Sequence, residues 1–505
     1  MATIANTPVF IFLLMIRLYS IHSAQAQSFI GVNYGHVADN LPPPSATAKL
    51  LKSTTIEKVR LYDADPAIIN ALANTGIGIV IGAGNGDIPA LASDPSYATQ
   101  WVKSNVLAHH PASKITVVTV GNEVMTSGDQ NLIQKFLPAM RNVQNALDAA
   151  SLGGKVKVST VHSMAVLSQS SPPSSGIFNP SFDDTMRAIL AFLRSTGSPF
   201  MINPFPFFAY QSNPRAGMLE FCLFQPNAGI LDVGSGIKYM NMFDAQVDAV
   251  RYALNAMGFT DIEIVVSETG WPYKGDPNEV GPSIDNARTY NGNLIKHLRS
   301  MAGTPLLPGK SVDTYIFAIY DENLKPGPAS ERAFGLFKPD LSMTYDVYLT
   351  NTTQSTTPTD PPTPASKQGG WCVPKSGVSI AELQANLDYA CGQGIDCSLI
   401  QPGGACFEPN TVASHAAFAM NLYYQTAGRN SWNCDFSQTA TMTSLNPSYG
   451  GCSYPDGTTL SSRLVAQGSG NSSASGAPLK LLYHLLTHIC VILHIVGSMP
   501  QLLYN

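Results

Sequence analysis

Two glutamates stand at the ends of two β-branched stretches, and together they could do acid–base chemistry. The run from Ile264 to Ser267 leads directly into Glu268, and the run that begins at Lys114 leads into Glu123. β-Branched residues suit buried strands, and in a parallel α/β barrel the carboxyl ends of the strands converge on one open face. Two carboxylates on one face can cleave a glycosidic bond, because one protonates the leaving oxygen while the other attacks the sugar or activates water. An ordinary polar strand end remains the alternative for either glutamate alone.

The elements that must position this pair follow a regular alternation. From Phe29 to about Thr350, short β-rich runs alternate with longer helical stretches, which is typical of repeated βα units. Eight parallel strands predict an α/β fold of the (β/α)8 TIM-barrel type, with Glu123 after strand four and Glu268 ending strand seven. The predicted strands are Phe29 to Tyr34, Lys58 to Tyr62, Gly78 to Ile81, Lys114 to Val120, Lys155 to Thr160, Phe200 to Asn203, Ile262 to Ser267 and Thr314 to Tyr320.

Neighbours of the two glutamates have residue types that suit sugar binding. Asn122 can hydrogen-bond a sugar hydroxyl without adding a charge beside Glu123, or it can serve only as a turn residue. Trp271 can stack on the apolar face of a sugar, or it can be a packed wall residue.

Two loops at the same barrel face carry further candidates. The aromatic loop that follows Asn203, with Phe205 and Tyr210, can form the wall of a groove or cover the barrel core. The charged segment from Tyr320 to Lys325 can bind sugar hydroxyls and tune the glutamates, or it can be a solvated loop.

Composition limits the class of ligand. The 505-residue chain is 44% hydrophobic, only 12% of its residues are charged, and its net charge is -5. No cationic surface for nucleic acid is evident, so a neutral, polar ligand fits better than a polyanion. A chain of this length permits more than one domain.

The two ends of the chain read as processing signals. Residues 1–26 contain a short apolar run followed by Ala24-Gln25-Ala26, which predicts a secretory signal peptide with a membrane anchor as the alternative. At the other end, residues 456–478 are a small-residue spacer and residues 479–505 an apolar tail. This order predicts a GPI-attachment region and a removed propeptide, and a plain secreted carboxyl terminus is the alternative.

Between the barrel and the tail lies a cysteine-rich domain on a linker. Residues 350–370 are rich in Thr and Pro, which predicts an extended linker, and Asn351 and Asn471 begin N-glycosylation sequons. Six of the eight cysteines fall between Cys372 and Cys452, which in a secreted chain predicts a disulfide-stapled domain. Their spacing leaves fifteen pairings open and does not suit zinc. Cys222, alone in the barrel, is either a buried apolar residue or a free surface thiol.

Separated motifs in the barrel region resemble plant family 17 glycoside hydrolases, the endo-β-1,3-glucanases. They are Gly31-Val32-Asn33-Tyr34-Gly35, Val120-Gly121-Asn122-Glu123-Val124, Ser267-Glu268-Thr269-Gly270-Trp271-Pro272 and Asp321-Glu322-Asn323 through Gly335-Leu336-Phe337. The resemblance covers about residues 28 to 348, and it implies a retaining mechanism with Glu123 as proton donor and Glu268 as nucleophile. It also implies a set of cleft-lining residues. They are Tyr34, Asn122, Asn203, Phe205, Tyr210, Glu322, Lys325 and Glu331.

One departure from the family pattern lies in the strand-six loop. The family usually has tyrosines where this chain has Phe205 and Phe207. Losing the two hydroxyls removes hydrogen bonds to sugar but keeps the aromatic faces for stacking.

Residues 371–455 resemble the plant X8 domain, also called carbohydrate-binding module family 43. Its motifs here include Cys391-Gly392, Asn421-Leu422-Tyr423-Tyr424-Gln425 and Cys434-Asp435-Phe436. The resemblance implies three disulfides, whereas the choice of aromatics that touch glucan stays open. The implied pairs are Cys372 with Cys434, Cys391 with Cys397, and Cys406 with Cys452.

The sequence therefore predicts a secreted, retaining endo-hydrolase of β-1,3-glucan, with residues 27–349 as the catalytic domain. Its expected partners are glucan and the cell wall, and the membrane is reached only through a lipid anchor on its outer face. A monomer is expected, with no metal and no cofactor. The retaining mechanism predicts catalytic carboxyl groups about 5 to 5.5 Å apart. Two alternatives are a wall-anchored glucan-binding protein without catalysis and a β-1,3-1,4-glucanase.

Overall fold

The computed structural model contains a closed barrel of eight parallel strands, so the predicted (β/α)8 fold is confirmed. Each strand pairs with its sequence neighbours, and the eighth pairs with the first, so the order around the barrel is β1-β8-β7-β6-β5-β4-β3-β2. The strands are β1 Ile30–Tyr34, β2 Lys58–Leu61, β3 Gly78–Ala83, β4 Lys114–Asn122, β5 Lys157–Ser163, β6 Phe200–Asn203, β7 Ile264–Thr269 and β8 Thr314–Ile316.

The structure describes residues 29–349 and 370–456, except for residues 376, 428, 430, 437 and 438 and the side chains of Ser431 and Trp432. The predicted signal peptide, most of the linker, both sequons and the predicted lipid-anchor region lie outside the described residues. Within the described ranges, no helix combines the length and the hydropathy that crossing a membrane requires.

Strand eight is shorter than the sequence predicts. Its ladder ends at Ile316, and the next residues turn to other partners, since the N–H of Phe317 donates to the carbonyl of Thr269 and that of Ile319 donates to the carbonyl of Asn33. The same segment also pairs with residues 334–337. The residues from Phe317 to Tyr320 are apolar because they remain buried. They are no longer part of the regular strand pairing.

Helices cover the outside of the barrel and carry its loops. Interior strand positions such as Val80, Val161 and Val265 fill the barrel centre, while the opposite strand faces pack against the helices. The helices are α1 Pro44–Lys52, α2 Pro66–Ala71, α3 Ile88–Ser93, α4 Pro95–Asn105, α5 Gln130–Ala149, α6 Asp183–Thr196, α7 Pro206–Ser212, α8 Met218–Cys222, α9 Met242–Ala256 and α10 Ile284–Arg299.

The carboxyl-terminal module is a small helical domain closed by disulfides. Its helices are α11 Ile380–Gly392 and α12 Val412–Thr426, and β9 Trp371–Pro374 pairs antiparallel with β10 Ala440–Thr443. Three disulfides join the pairs that the resemblance implies. They are Cys372–Cys434, Cys391–Cys397 and Cys406–Cys452. Cys222 of the barrel is a buried free thiol, which agrees with the apolar interpretation.

A buried acid on α9 makes the stability of the barrel depend on pH. Asp248 is completely buried and accepts a hydrogen bond from the N–H of Leu306 at 2.9 Å. Burial raises the pKa of Asp248 to about 6. The folded chain therefore binds the proton of the Asp248 carboxyl group more tightly than the unfolded chain does. Its stabilising effect is therefore present below the unfolded value, about 3.9, and is lost as pH rises through the folded value.

We expect the free energy of unfolding to fall by about 1–3 kcal/mol between pH 4 and pH 7 because of Asp248. Asp248→Asn should remove that part of the dependence, since the amide cannot ionise. Denaturant unfolding of the two proteins at both pH values measures the difference. Parallel pH dependences for wild type and variant would contradict the assignment.

Candidate active site

The two predicted catalytic glutamates lie at the carboxyl face of the barrel and line one cleft of about 850 Å³. Glu268 is the penultimate residue of β7, and Glu123 directly follows β4. The backbone of Glu123 is left-handed, with φ 55° and ψ 30°. A residue with a side chain pays an energetic cost in this conformation, and such strain is concentrated at functional sites.

Arg60 of β2 joins the nucleophile candidate to strand four. Its Nη1 donates to Oε1 of Glu268 at 2.6 Å, and its Nη2 donates to Oδ1 of Asn122 at 2.7 Å. The Arg60 side chain is 1% exposed and that of Glu268 is 11% exposed. The guanidinium compensates the negative charge of the buried carboxylate, and a negatively charged carboxylate is what a nucleophile needs.

Glu123 has a different environment, which favours the protonated acid. Burial raises its pKa and the charge of Glu268 raises it further. Asn203 donates from Nδ2 to Oε1 of Glu123 at 2.7 Å, and Ser267 donates from Oγ to Oδ1 of Asn203 at 2.8 Å. These two bonds fix the orientation of the Asn203 amide and therefore that of the acid. One ionised and one protonated carboxyl group on the same face can perform acid-assisted nucleophilic displacement.

Seven of the predicted binding residues line the same cleft. Phe205 is a partly buried wall residue whose ring centroid lies 6.0 Å from that of Phe317 and 6.0 Å from that of Phe334. Its aromatic face is available for stacking against the apolar face of a sugar. The seven are Tyr34, Asn122, Asn203, Phe205, Glu322, Lys325 and Glu331.

Two predicted binding residues lie behind the wall instead. Trp271 is completely buried, and its Nε1 donates to the carbonyl of Gly281 at 2.9 Å, so its ring has no face to offer a sugar. Tyr210 stands 6.0 Å from the Trp271 ring and is not among the lining residues. Phe207 is likewise buried against Trp271. The expectation of a Trp271 sugar platform does not fit this placement, and packing of the wall is the role that does.

The last residue of the first motif, Gly35, leaves no space for a larger residue. A Cβ at this position would overlap the carboxylate of Glu322. The same carboxylate accepts a hydrogen bond from the N–H of Val37 at 3.0 Å. The close approach lets the loop after β1 hold Glu322 at the edge of the cleft.

Asp321 turns away from the cleft although its neighbour Glu322 lines it. Its carboxylate accepts hydrogen bonds from the hydroxyl of Tyr273 and from the N–H of Gly335. Asp321 therefore ties the loop after β7 to the segment after β8. Within the segment from Tyr320 to Lys325, Glu322 and Lys325 therefore line the cleft, whereas Asp321 has a structural role.

Two acids of the loop after β7, Asp276 and Glu279, form an acidic clamp on the turn that carries Glu331. Asp276 accepts the N–H of Ala329 at 2.9 Å, and Glu279 accepts the N–H of Ser330 at 3.1 Å. The held turn spans Ala329–Arg332, and Glu331 within it pairs with Nζ of Lys325 at 3.2 Å.

We expect Glu279→Ala to raise KM roughly 3- to 10-fold with little change in kcat, because Lys325 and Glu331 lose their fixed support. Steady-state kinetics on a soluble glucan oligomer measure both constants. Asp285→Ala is the matched control, since it breaks only the exposed ion pair with Arg288 and should leave KM unchanged. A KM unaltered in Glu279→Ala would contradict the positioning role of the clamp.

Several residues of the site lie outside the sequence prediction. Arg60 and Tyr62 belong to the predicted strand two, and neither is among the predicted site residues. His36 lies 3.3 Å from Asp63 across the cleft edge, and this contact raises the pKa of His36. The signal that could have found them is the barrel rule itself, since every strand end faces the same opening. The lining residues outside the prediction include His36, Tyr62, Asp63, Phe317 and Phe334.

The described residues contain no group of His, Cys, Asp and Glu side chains arranged to hold a metal ion. The carboxylates of the cleft are instead held by arginine, asparagine and backbone N–H groups.

A (β/α)8 barrel with this carboxylate pair at its open face defines a glycoside hydrolase. Residues 30–349 match the family model of glycosyl hydrolases family 17, and residues 370–441 match that of the X8 domain. The chain belongs to glycosyl hydrolases family 17.

Similar proteins cover the chain to different extents. A glucan endo-1,3-beta-D-glucosidase of Olea europaea is 66% identical over 90% of this chain and 100% of its own length. Glucan endo-1,3-beta-glucosidase 7 of Arabidopsis thaliana is 66% identical over 88% of each chain. The solved structure of CJP38, a beta-1,3-glucanase and allergen of Cryptomeria japonica pollen, is 41% identical with a TM-score of 0.61, and it covers 64% of this chain and 99% of its own.

Proposed function

We propose that this chain is an endo-acting, retaining hydrolase of internal β-1,3-glucosidic bonds. The observation that carries the proposal is the unequal environment of the two carboxyl groups. Arg60 pairs with Glu268 at 2.6 Å, whereas burial and the charge of Glu268 raise the pKa of Glu123. The relatives with 66% identity are named as glucan endo-1,3-glucosidases, which supports β-1,3-glucan as the substrate.

The geometry supports a double displacement. An oxygen of Glu268 bonds to the anomeric carbon, the glycosidic C–O bond breaks, and the leaving oxygen takes the proton of Glu123. Glu123, now ionised, removes a proton from water. The water oxygen then bonds to the anomeric carbon as the bond to Glu268 breaks, so Glu268 is ionised again and the sugar keeps its configuration.

The remaining lining residues would position a glucan chain along the cleft. Phe205 offers a stacking face, and Lys325, Glu322 and Glu331 offer charged hydrogen-bonding groups for sugar hydroxyls. Asn122 is oriented by Arg60 and can bind a hydroxyl of the sugar that reacts. Binding contacts that tighten only in the transition state raise kcat.

The carboxyl-terminal module would keep the enzyme on its polymer. Its relatedness to the X8 domain supports glucan binding, and a tethered second binding domain raises the effective concentration of the catalytic domain at an insoluble surface. We place the protein outside the cell, as a monomer held at the cell wall and the outer face of the plasma membrane. The predicted signal peptide and lipid-anchor sequence support this location.

Product analysis tests the function directly. A secreted protein spanning residues 27–470 should release reducing ends from a linear β-1,3-glucan as oligomers of several lengths, and proton NMR should show the β-anomer first. Release of α-anomer first would contradict the retaining mechanism. Preferred cleavage of mixed-linkage glucan would favour a β-1,3-1,4-glucanase, and binding without cleavage would favour a glucan-binding protein.

A further inference from the structure

Tyr62 has a buried hydroxyl that no hydrogen bond within the described residues uses. It directly follows β2 and lines the cleft together with Glu123 and Glu268, and its hydroxyl oxygen is inaccessible to solvent and has no partner. A buried polar group without a partner destabilises the folded state. Such a group in a functional cleft requires an explanation.

The Tyr62 ring belongs to the charged cluster around Glu268. The guanidinium carbon of Arg60 lies 4.5 Å from the centroid of the ring, and the same guanidinium donates to Oε1 of Glu268. Burial and then the charge of Glu268 raise the pKa of Tyr62 well above its ordinary value. The hydroxyl therefore stays protonated and can act as a hydrogen-bond donor throughout the working pH range.

Packing accounts for the ring of Tyr62 but not for its hydroxyl. The backbone at this point is held against β3, because a Cβ on Gly82 would overlap the carbonyl oxygen of Tyr62. A phenylalanine ring would fill the same space and stack on Arg60 in the same way. The hydroxyl thus adds only a donor, and the acid whose charge acts most strongly on it is Glu268.

Glu268 has room for that donor. Arg60 holds Oε1, while no hydrogen bond reaches Oε2 from any residue that the structure describes. A bound sugar displaces water from the cleft and leaves this oxygen without solvent. A hydrogen bond from a protein donor to Oε2 is then stronger than it would be in the solvent-filled cleft.

We propose that Tyr62 is a positioning residue for the nucleophile, whose hydroxyl donates to Oε2 of Glu268 once substrate fills the cleft. The inference rests on the role proposed above for Glu268. When Glu268 bonds to the anomeric carbon its charge is consumed and the hydrogen bond weakens. When that bond breaks the charge returns to the carboxylate, and Tyr62 stabilises it. The proton stays on Tyr62 throughout.

Tyr62→Phe tests the proposal in the 27–470 protein. We expect kcat to fall roughly 10- to 100-fold, the loss of one hydrogen bond to a charged group. We expect the acidic limb of the kcat profile, which reports the enzyme–substrate complex, to move to higher pH, because a donor that favours the ionised nucleophile in that complex has gone. We also expect an unchanged or higher melting temperature, since the variant removes a buried group without a partner.

The matched control is Tyr345→Phe, which removes a hydroxyl that accepts from Nδ2 of Asn291 at 2.9 Å. It should lower the melting temperature and leave the pH profile in place. A lower melting temperature with an unmoved acidic limb in Tyr62→Phe would mean that the hydroxyl is structural, and would overturn the inference. Wild-type kinetics in Tyr62→Phe would also overturn it. An inactive wild type would overturn the proposed function and this inference with it.

Discussion

Glu268→Gln should lower kcat on a linear β-1,3-glucan by roughly 10⁴-fold or more, because the amide cannot form the glycosyl–enzyme bond. The variant should fold, since the amide oxygen can still accept from Nη1 of Arg60, which donates to Oε1 of Glu268 at 2.6 Å. Glucan binding should persist for the same reason. Reducing-end release, together with a binding isotherm for a glucan oligomer, measures the two effects separately.

Glu123→Gln should fail in a different way. Its loss should be large on glucan, about 10²- to 10⁴-fold, because the leaving oxygen has no acid to protonate it. On an aryl glycoside with an acidic leaving group the first step should survive and the glycosyl–enzyme should accumulate. Added azide should then restore turnover and give a product of retained configuration, because a small nucleophile needs no base.

The difference between the two variants is the decisive observation. Azide rescue of Glu123→Gln but not of Glu268→Gln would assign acid/base and nucleophile as proposed. Rescue of Glu268→Gln with a product of retained configuration, and no rescue of Glu123→Gln, would reverse the two roles. Equal, small losses in both variants would contradict it. Glu322→Gln is the control for a general change of charge, since Glu322 lines the cleft without a proposed part in bond breaking.

The catalytic pair could be predicted because its position follows from a local rule. Strands rich in β-branched residues end at the open face, so a glutamate at that end must reach the cleft. The left-handed backbone of Glu123 could not be predicted in this way. It arises where the chain leaves β4 and turns into the short helical turn Val124–Thr126, a tertiary constraint that no propensity encodes.

Arg60 illustrates what sequence alone could not supply. An arginine two residues before the end of a predicted strand has no local signature of a catalytic partner. Its side chain is 1% exposed. The acceptors of its three hydrogen bonds lie on strands four and seven, which are distant in the chain. Only the closed barrel brings the three strand ends together.

Trp271 shows the opposite case, a residue whose type suggested more than its position permits. An aromatic directly after the nucleophile strand could stack on a sugar, but the chain turns inward there and buries the ring against Phe207 and Tyr290. Its Nε1 is satisfied by the carbonyl of Gly281. Phe205, on the neighbouring loop, is only partly buried and lines the cleft, as Trp271 does not.

Arg60→Met should cost both activity and stability. The variant leaves the buried carboxylate of Glu268 without its cation, and breaking a buried ion pair on one side costs about 3–5 kcal/mol. We expect kcat/KM to fall by at least about 10²-fold, because the nucleophile loses its charged partner and Asn122 loses the donor that orients it. Thermal unfolding and steady-state kinetics measure the two losses.

The double variant Arg60→Met/Glu268→Gln separates the ion pair from the packing of a long side chain. Removing the charge on both sides should recover much of the stability that Arg60→Met loses, because no uncompensated carboxylate remains. Arg60→Lys keeps the charge but has no planar fork, so it can hold Glu268 or Asn122 but not both, and it should fold well while remaining poorly active. If the double variant were as unstable as Arg60→Met, the arginine would act through packing. The nucleophile would then need another source of support for its charge.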